Sequence, residues 1–241
     1  MRPQASTVIW PSAPLTAPSG PTFPSTGLVG YWKMDESSGT RNDQTANANH
    51  LTDHNTVGSA TGKLGNCATF VSASTQYLTH ADASAFQMGT GSFSVALWVK
   101  TTSFPAAKSS LFEYGASDTS TGFSLKLNFS RNILLEAFDA SHFIATTPAT
   151  DVGTGAWRFI VAVFDRTGNM AIYIDNTADQ TASLSTLTGS VNNTNGLGIG
   201  GRYDAGNLFD GSIDEVGLWN LALTTTNITT LWNSGSGLTY P

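Results

Sequence analysis

The chain has 241 residues, a formal net charge of -6 and a charged fraction of only 12%. An acidic chain with no basic stretch excludes nucleic acid as a partner, and no apolar run approaches the roughly 20 residues that a membrane span needs. Charged residues stand at about half their usual share. Thr, Ser, Asn and Gly supply the polar surface instead, a profile of strands joined by polar turns rather than of a helical bundle. The lone cysteine, Cys67, has no partner for an intramolecular disulfide and reads as a small buried hydrophobe in an apolar strand.

Residues 1–27 form an arm broken by Pro3, Pro11, Pro14, Pro18, Pro21 and Pro24. It has no apolar core of a secretory signal, and its prolines hold it extended. Val8, Ile9, Trp10, Leu15 and Phe23 are its apolar residues, expected to dock either on the domain or on a neighbouring subunit. Residues 28–241 are read as one domain.

Strand signals then follow one another with turn signals between them. Expected strands are 28–34, 67–72, 76–79, 93–100, 110–114, 123–129, 133–138, 143–147, 157–164, 170–175, 180–183, 197–200 and 212–219. In Phe93-Ser-Val-Ala-Leu-Trp-Val-Lys, Phe93, Val95, Leu97 and Val99 share a face. In residues 123–129 apolar and polar residues alternate, as in a half-buried antiparallel strand. Arg166-Thr-Gly-Asn169 is a hairpin turn. Helical signal is confined to 224–233, where Ile228, Leu231 and Trp232 follow a Thr cap, with one further turn expected in 81–88. So many strands with so little helix give an all-β, two-sheet antiparallel jelly-roll sandwich with a short C-terminal helix.

The segment Phe209-Asp-Gly-Ser-Ile-Asp-Glu-Val-Gly-Leu-Trp219 places an acidic pair inside an apolar strand. Strict alternation puts Asp214 on the face of Val216 and Leu218, with Glu215 on the other. A buried carboxylate there must be hydrogen-bonded, paired or bound to a metal.

Five segments carry a resemblance. Gly27-Leu-Val-Gly-Tyr-Trp-Lys-Met-Asp-Glu-Ser-Ser-Gly-Thr40 and Asp43-Gln-Thr-Ala-Asn-Ala-Asn-His-Leu51 open the domain. Gly91–Val99, Trp157–Asp165 with Met170–Asp175, and Phe209–Leu223 follow in order. Together, over about 27 to 235, the chain resembles laminin-G-like, concanavalin-A-like jelly rolls. The resemblance implies adjacent first and last strands, a binding rather than a single catalytic role, and often a calcium ion at the rim. It implies Asp43 and Asp214 as calcium ligands, with Asp35 brought near them and loop carbonyls completing the shell. Ala46 or Ala48 stands where the family has Gly in the first loop, and Gly217 stands where a larger polar residue is common.

Related glucanases carry Glu-x-Asp-x-x-Glu on one strand, and the chain has no such run. Asp214 and Glu215, read as facing opposite ways, do not make the carboxyl pair that glycoside hydrolysis requires. Gly196, Gly198 and Gly201 spell a dinucleotide-type pattern but lead into another loop and strand, so tight sheet packing accounts for them. His50 and His54 stand four apart in a segment read as a polar loop. Trp10, Tyr114, Phe138, Phe143 and Tyr203 are the candidates for stacking on sugar. Tyr203 leads them, with Asp204 and Asn207 beside it in the Gly/Asp/Asn loop; Phe138 is read as core.

The sequence thus points to a non-enzymatic adhesion protein with structural calcium. The expected setting is the surface of a virion, as a phage decoration or fibre protein. Its arm would hold it to capsid or tail proteins or to further copies of itself, while the jelly roll binds glycans. A carbohydrate-binding lectin module, secreted or at a cell surface, is the alternative, and a glycoside hydrolase the third reading.

Overall fold

The computed structural model describes residues 20–103, 107–115, 121–153 and 155–241. In chain order the strands are β1 (Leu28–Trp32), β2 (Thr52–His54), β3 (Gly58–Thr61), β4 (Asn66–Phe70), β5 (Tyr77–His80), β6 (Phe93–Thr101), β7 (Ser109–Tyr114) and β8 (Gly122–Leu127). They continue with β9 (Ile133–Phe138), β10 (Phe143–Thr146), β11 (Arg158–Phe164), β12 (Asn169–Ile174), β13 (Thr177–Ser183), β14 (Leu197–Ile199) and β15 (Gly211–Trp219), and helix α1 (Thr225–Trp232) follows.

Two antiparallel sheets form the sandwich. One runs β13-β12-β11-β6-β15-β4-β3, and β1 joins it by pairing with β15. The other runs β10-β9-β8-β7-β14-β5-β2. The last strand therefore sits at the centre of its sheet. Its first half pairs with β4 and its second half with β1 along one edge, and β6 lies along the other. The adjacency of first and last strands is as the resemblance implies.

Alternation explains where the core lies. Phe93, Val95, Leu97 and Val99 of β6 meet Phe123, Leu125 and Leu127 of β8 between the sheets. A second apolar cluster lies on the outer face of the eight-stranded sheet, where Trp98, Phe159 and Trp219 are covered by Ile228 and Leu231 of α1. That cover is why a jelly roll keeps one helix. Thr224 caps it reciprocally with Asn227, and Asn233 ends it in the left-handed conformation.

Phe23 belongs to this second cluster. Its ring stands edge-on to Tyr31 at 5.1 Å and to Tyr240 at 5.3 Å, and the Trp219 indole donates to the Pro24 carbonyl. The end of the arm thus docks on its own domain, so the expected boundary at residue 27 is not a boundary in packing. Val8, Ile9, Trp10 and Leu15 lie outside the described residues.

Thirteen expected strands are present, most within two residues of their expected ends. Two were missed, β2 and β3, because Thr52-Asp-His54 and Gly58-Ser-Ala-Thr61 carry almost no apolar side chain. Both lie at sheet edges, where main-chain pairing alone defines a strand.

Candidate functional site

The acidic strand departs from simple alternation. Asp214 lies opposite Trp98, and Gly217 lies opposite Ala96, so β15 uses three residues where β6 uses two. This is a bulge, and Glu215 occupies it with φ of 50°. The bulge resets the pleat: Ile213, Val216 and Leu218 face the inter-sheet core, while Asp214 faces the outer cluster with Trp98. The expectation that Asp214 shares a face with Val216 and Leu218 is therefore corrected. Glu215 also turns outward, where it accepts from the Tyr31 hydroxyl. The two acids lie on the same side, and opposite facing no longer separates them.

Both are instead buried. Asp214 Oδ2 accepts from the amides of Lys63 and Leu64 at 2.7 and 3.0 Å, and its Oδ1 has no partner. Burial pushes the Asp214 carboxyl up to about 8 against the pull of those amides, with Glu215 and Asp35 adding to the rise. Burial likewise pushes Glu215 up to about 7, opposed by the Tyr31 hydroxyl. Asp35 Oδ1 accepts from the Asn66 amide at 2.7 Å, at the far end of the same turn.

Asp43 is engaged elsewhere. Its carboxylate accepts from the amides of Tyr31, Thr45 and Asn49 and from the Thr45 hydroxyl, each at 2.9 Å. Calcium requires six to eight oxygens. Here both Asp43 oxygens and one of Asp214 are already committed to backbone amides. Among the described residues no three His, Cys, Asp or Glu side chains are grouped to hold a metal. The set Asp43, Asp214 and Asp35 does not fit the calcium shell expected of it. Each acid fastens a loop instead: Asp43 ties 43–49 to β1, and Asp35 and Asp214 hold the turn 62–66.

The outer face of the seven-stranded sheet carries a different constellation. Each of its three neighbouring strands β7, β8 and β9 places one charge among apolar residues. Lys126 Nζ lies 3.2 Å from Glu113 Oε1 and 2.8 Å from Glu136 Oε2. Ser110 donates to Glu113, and Ser124 donates to Glu136 at 3.0 Å. All five are buried, which corrects the expectation of a half-buried strand at 123–129. The fixed pairing lowers the cost of burial, since a buried ion pair is tolerated when its remaining polar atoms are bonded. Lys108 reaches Glu136 Oε1 at 2.7 Å and brings the row to the surface with its side chain 37% exposed.

Beside this row stands an aromatic pair. Phe138 is two residues from Glu136 on β9 and so shares its face. Phe143 of β10 lies opposite Phe138, and the rings stack at 4.6 Å. Phe143 is 56% exposed. Phe138 is buried under it and belongs to neither apolar cluster, so it supports the exposed ring rather than the core.

The loop 200–207 borders the row on the other side. Gly198, between Thr79 and Glu113 in register, faces outward, and a Cβ there would collide with the Gly201 carbonyl and with Tyr203 N. Glycine at 198 thus lets the loop lie flat on the sheet, in keeping with the close-packing expectation. Asn207 accepts through its carbonyl from the Ser110 amide at 2.7 Å. Arg202 pairs with exposed Asp204 at 2.6 Å. Tyr203 is half-buried, its ring against Gly196. The sequence-derived trio Tyr203, Asp204 and Asn207 therefore borders the same face as the charged row, and the more exposed ring is Phe143. The signal for the row was present, a single charge in the second half of each of Ser109–Tyr114, Gly122–Leu127 and Ile133–Phe138.

Other expectations resolve simply. Tyr114 is core, its hydroxyl donating to Asp82 at 2.7 Å. His54 lies on β2, stacked on Tyr77 at 4.3 Å, and His50 accepts from the Asp43 amide, so the two histidines have separate partners.

Two antiparallel sheets around one inter-sheet core, with the first strand beside the last, define a jelly roll of the lectin type. The profile of the concanavalin A-like lectin/glucanases superfamily matches residues 72–229, and the chain belongs to that family. No curated protein sequence matches it. Among solved structures it is similar to the binding domain of Paraclostridial Mosquitocidal Protein 1. That match has a TM-score of 0.72 and 13% identity, covering 88% of this chain and 53% of the other. The binding domain of Botulinum Neurotoxin DC in complex with SialylT gives a TM-score of 0.69 at 14% identity, covering 86% and 51%. Domain 4 of AbnA, a GH43 extracellular arabinanase from Geobacillus stearothermophilus, solved with arabinotriose, gives 0.67 at 22% identity, covering 84% and 96%. The chain spans about half the length of the two toxin domains and nearly all of the arabinanase domain. At these identities the likeness is one of fold. No helix among the described residues is long and apolar enough to cross a membrane.

Proposed function

We propose that the chain is a non-catalytic carbohydrate-binding module that holds glycans on the outer face of its seven-stranded sheet. The observation that carries this is the exposed Phe143 ring, backed by Phe138 and set beside Glu136 and Lys108. Sugar rings present one apolar face, which packs on an aromatic ring, and a rim of hydroxyls, which seek polar partners. Lys108 reaches Glu136 beside the aromatic pair, and Arg202 and Asp204 stand across the charged row, so the sheet face offers both donors and acceptors.

The family membership and two of the similar structures, one in complex with arabinotriose and one with SialylT, support this reading over a particle-surface one. The phage setting rests on the lack of a secretory signal and of a catalytic set, on a stand-alone adhesion-type domain and on the arm, whose apolar residues 8–15 lie outside the described residues. Against a hydrolase, Glu113 and Glu136 both accept from Lys126 and from a serine hydroxyl, which leaves neither in the role of proton donor. Asp214 and Glu215 are sealed from substrate.

The test is a glycan array followed by titration calorimetry on wild type and Phe143→Ala. Loss of an aromatic platform of this kind weakens binding on the order of tenfold or more. A wild-type protein that binds no glycan, or a Phe143→Ala protein that binds as wild type, overturns the assignment.

A further inference from the structure

One end of the sandwich carries a cleft of about 450 Å³. It lies where β1 begins, β15 ends and β6 begins, and neither Phe138 nor Phe143 lines it. Asn47 and Asn220, Ser84 and Gln87 supply its polar lining, and Leu28 and Met88 its apolar one. Among the described residues no charged side chain lines it. Its volume falls within the roughly 300–1,000 Å³ of small-molecule sites.

The polar groups are held in place. Gln87 donates through Nε2 to Asp82 Oδ2 at 2.6 Å and to the Asn193 carbonyl at 2.9 Å, which fixes the amide and leaves its oxygen to accept. Asn47 donates through Nδ2 to the Val29 carbonyl at 2.8 Å, so its oxygen is likewise an acceptor. The loop that bears Asn47 is the one Asp43 fastens with its four hydrogen bonds. The Asn220 amide is tied to the Gly27 carbonyl at 2.8 Å, which sets the opposite wall. Hydroxyl donors find oriented amide oxygens here. The serine hydroxyl and the Asn220 side chain serve as donor or acceptor, and the apolar patch meets a ring face. Anionic ligands find no cation to meet them.

We propose that this cleft is a second carbohydrate site, one that takes a neutral saccharide and works independently of the aromatic face. The inference rests on the carbohydrate-binding reading only for the class of ligand. It gives Asp43 a function, because the loop it anchors forms one wall of the site.

The experiment titrates the full chain with neutral trisaccharides, arabinotriose first, and with a sialylated trisaccharide as the charged probe. Binding is measured by calorimetry, and chemical-shift changes locate it. Asn220→Ala and Asn47→Ala change exposed residues; Gln87→Ala removes the oriented oxygen, and thermal melting checks that each variant folds. The expected result is that the neutral probe shifts residues of the cleft and that each variant weakens it about 3- to 10-fold, as loss of one hydrogen bond does. Phe143→Ala leaves that binding unchanged. The cleft assignment is overturned if the neutral probe shifts no residue of the cleft, or if all three folded variants bind as wild type. Binding lost in the cleft variants, with no probe whose binding Phe143→Ala weakens, upholds the cleft and rejects the aromatic face. The converse pattern does the reverse.

Discussion

Asp43 shows how much one short side chain organises. Its two oxygens take three backbone amides and a hydroxyl, holding the 43–49 loop against β1. Replacing it by Ala orphans three main-chain donors in a buried setting, and each unsatisfied donor costs about 1–3 kcal/mol. Asp43→Ala is expected to lose about 3 kcal/mol or more in urea unfolding, and Asp43→Asn distinctly less, because one oxygen remains to accept. Equal losses in the two variants would show that charge, and not acceptor geometry, holds the loop. Gly217 makes a complementary point. A Cβ there would strike the Trp219 ring, so glycine at 217 makes room for that indole over the outer face.

At the scale of elements, the fold was legible where a face is apolar. Residues Phe93–Thr101 and Ile133–Phe138 alternate or run apolar, and the strands stand where periodicity puts them. α1 was legible from Ile228, Leu231 and Trp232 following a Thr cap. Its reciprocal cap with Asn227 predicts that Thr224→Ala loses about 1 kcal/mol in chemical denaturation. A variant as stable as wild type would mean the helix is held by its packing on Trp98 alone. What stayed hidden has a common cause. Edge strands β2 and β3 have pairing without apolar pattern. The bulge at Glu215 is one added residue in one strand, and no composition signals it, yet it inverts the face of everything before it. The site was legible in part, since residues 203–207 do border the sheet face. The Glu113–Lys126–Glu136 row depends on the register of three strands, and register is not written in any single one of them.

The whole molecule is closed around its first and last strands, and that closure gives it a pH dependence. Asp214 and Glu215 lie at the centre of the eight-stranded sheet under the turn 62–66 and the C-terminal tail, whose Leu238 carbonyl accepts from Tyr31 at 3.4 Å. Their carboxyls titrate near 8 and 7 in the fold, against ordinary values of 3.8 and 4.5. The native state therefore binds protons that the unfolded chain has released, and stability falls as pH rises. The contribution is complete below about pH 4 and is lost progressively up to about pH 8, with a slope of up to about 1.4 kcal/mol per pH unit for each group. Urea midpoints are expected to drop between about pH 5.5 and about pH 8.5. Asp214→Asn matches the protonated acid in shape and still offers an oxygen to the Lys63 and Leu64 amides, so it should remove roughly half of that drop. A flat wild-type profile would mean the pair is ionised throughout, with a cation beside it. The chelator experiment separates these cases at the alkaline end. Both carboxyls are giving up their protons by about pH 8, but Asp43 stays committed to its loop and Asp214 to two amides, so excess EDTA leaves the melting temperature unchanged there, and a chelator-dependent fall would restore calcium to this strand.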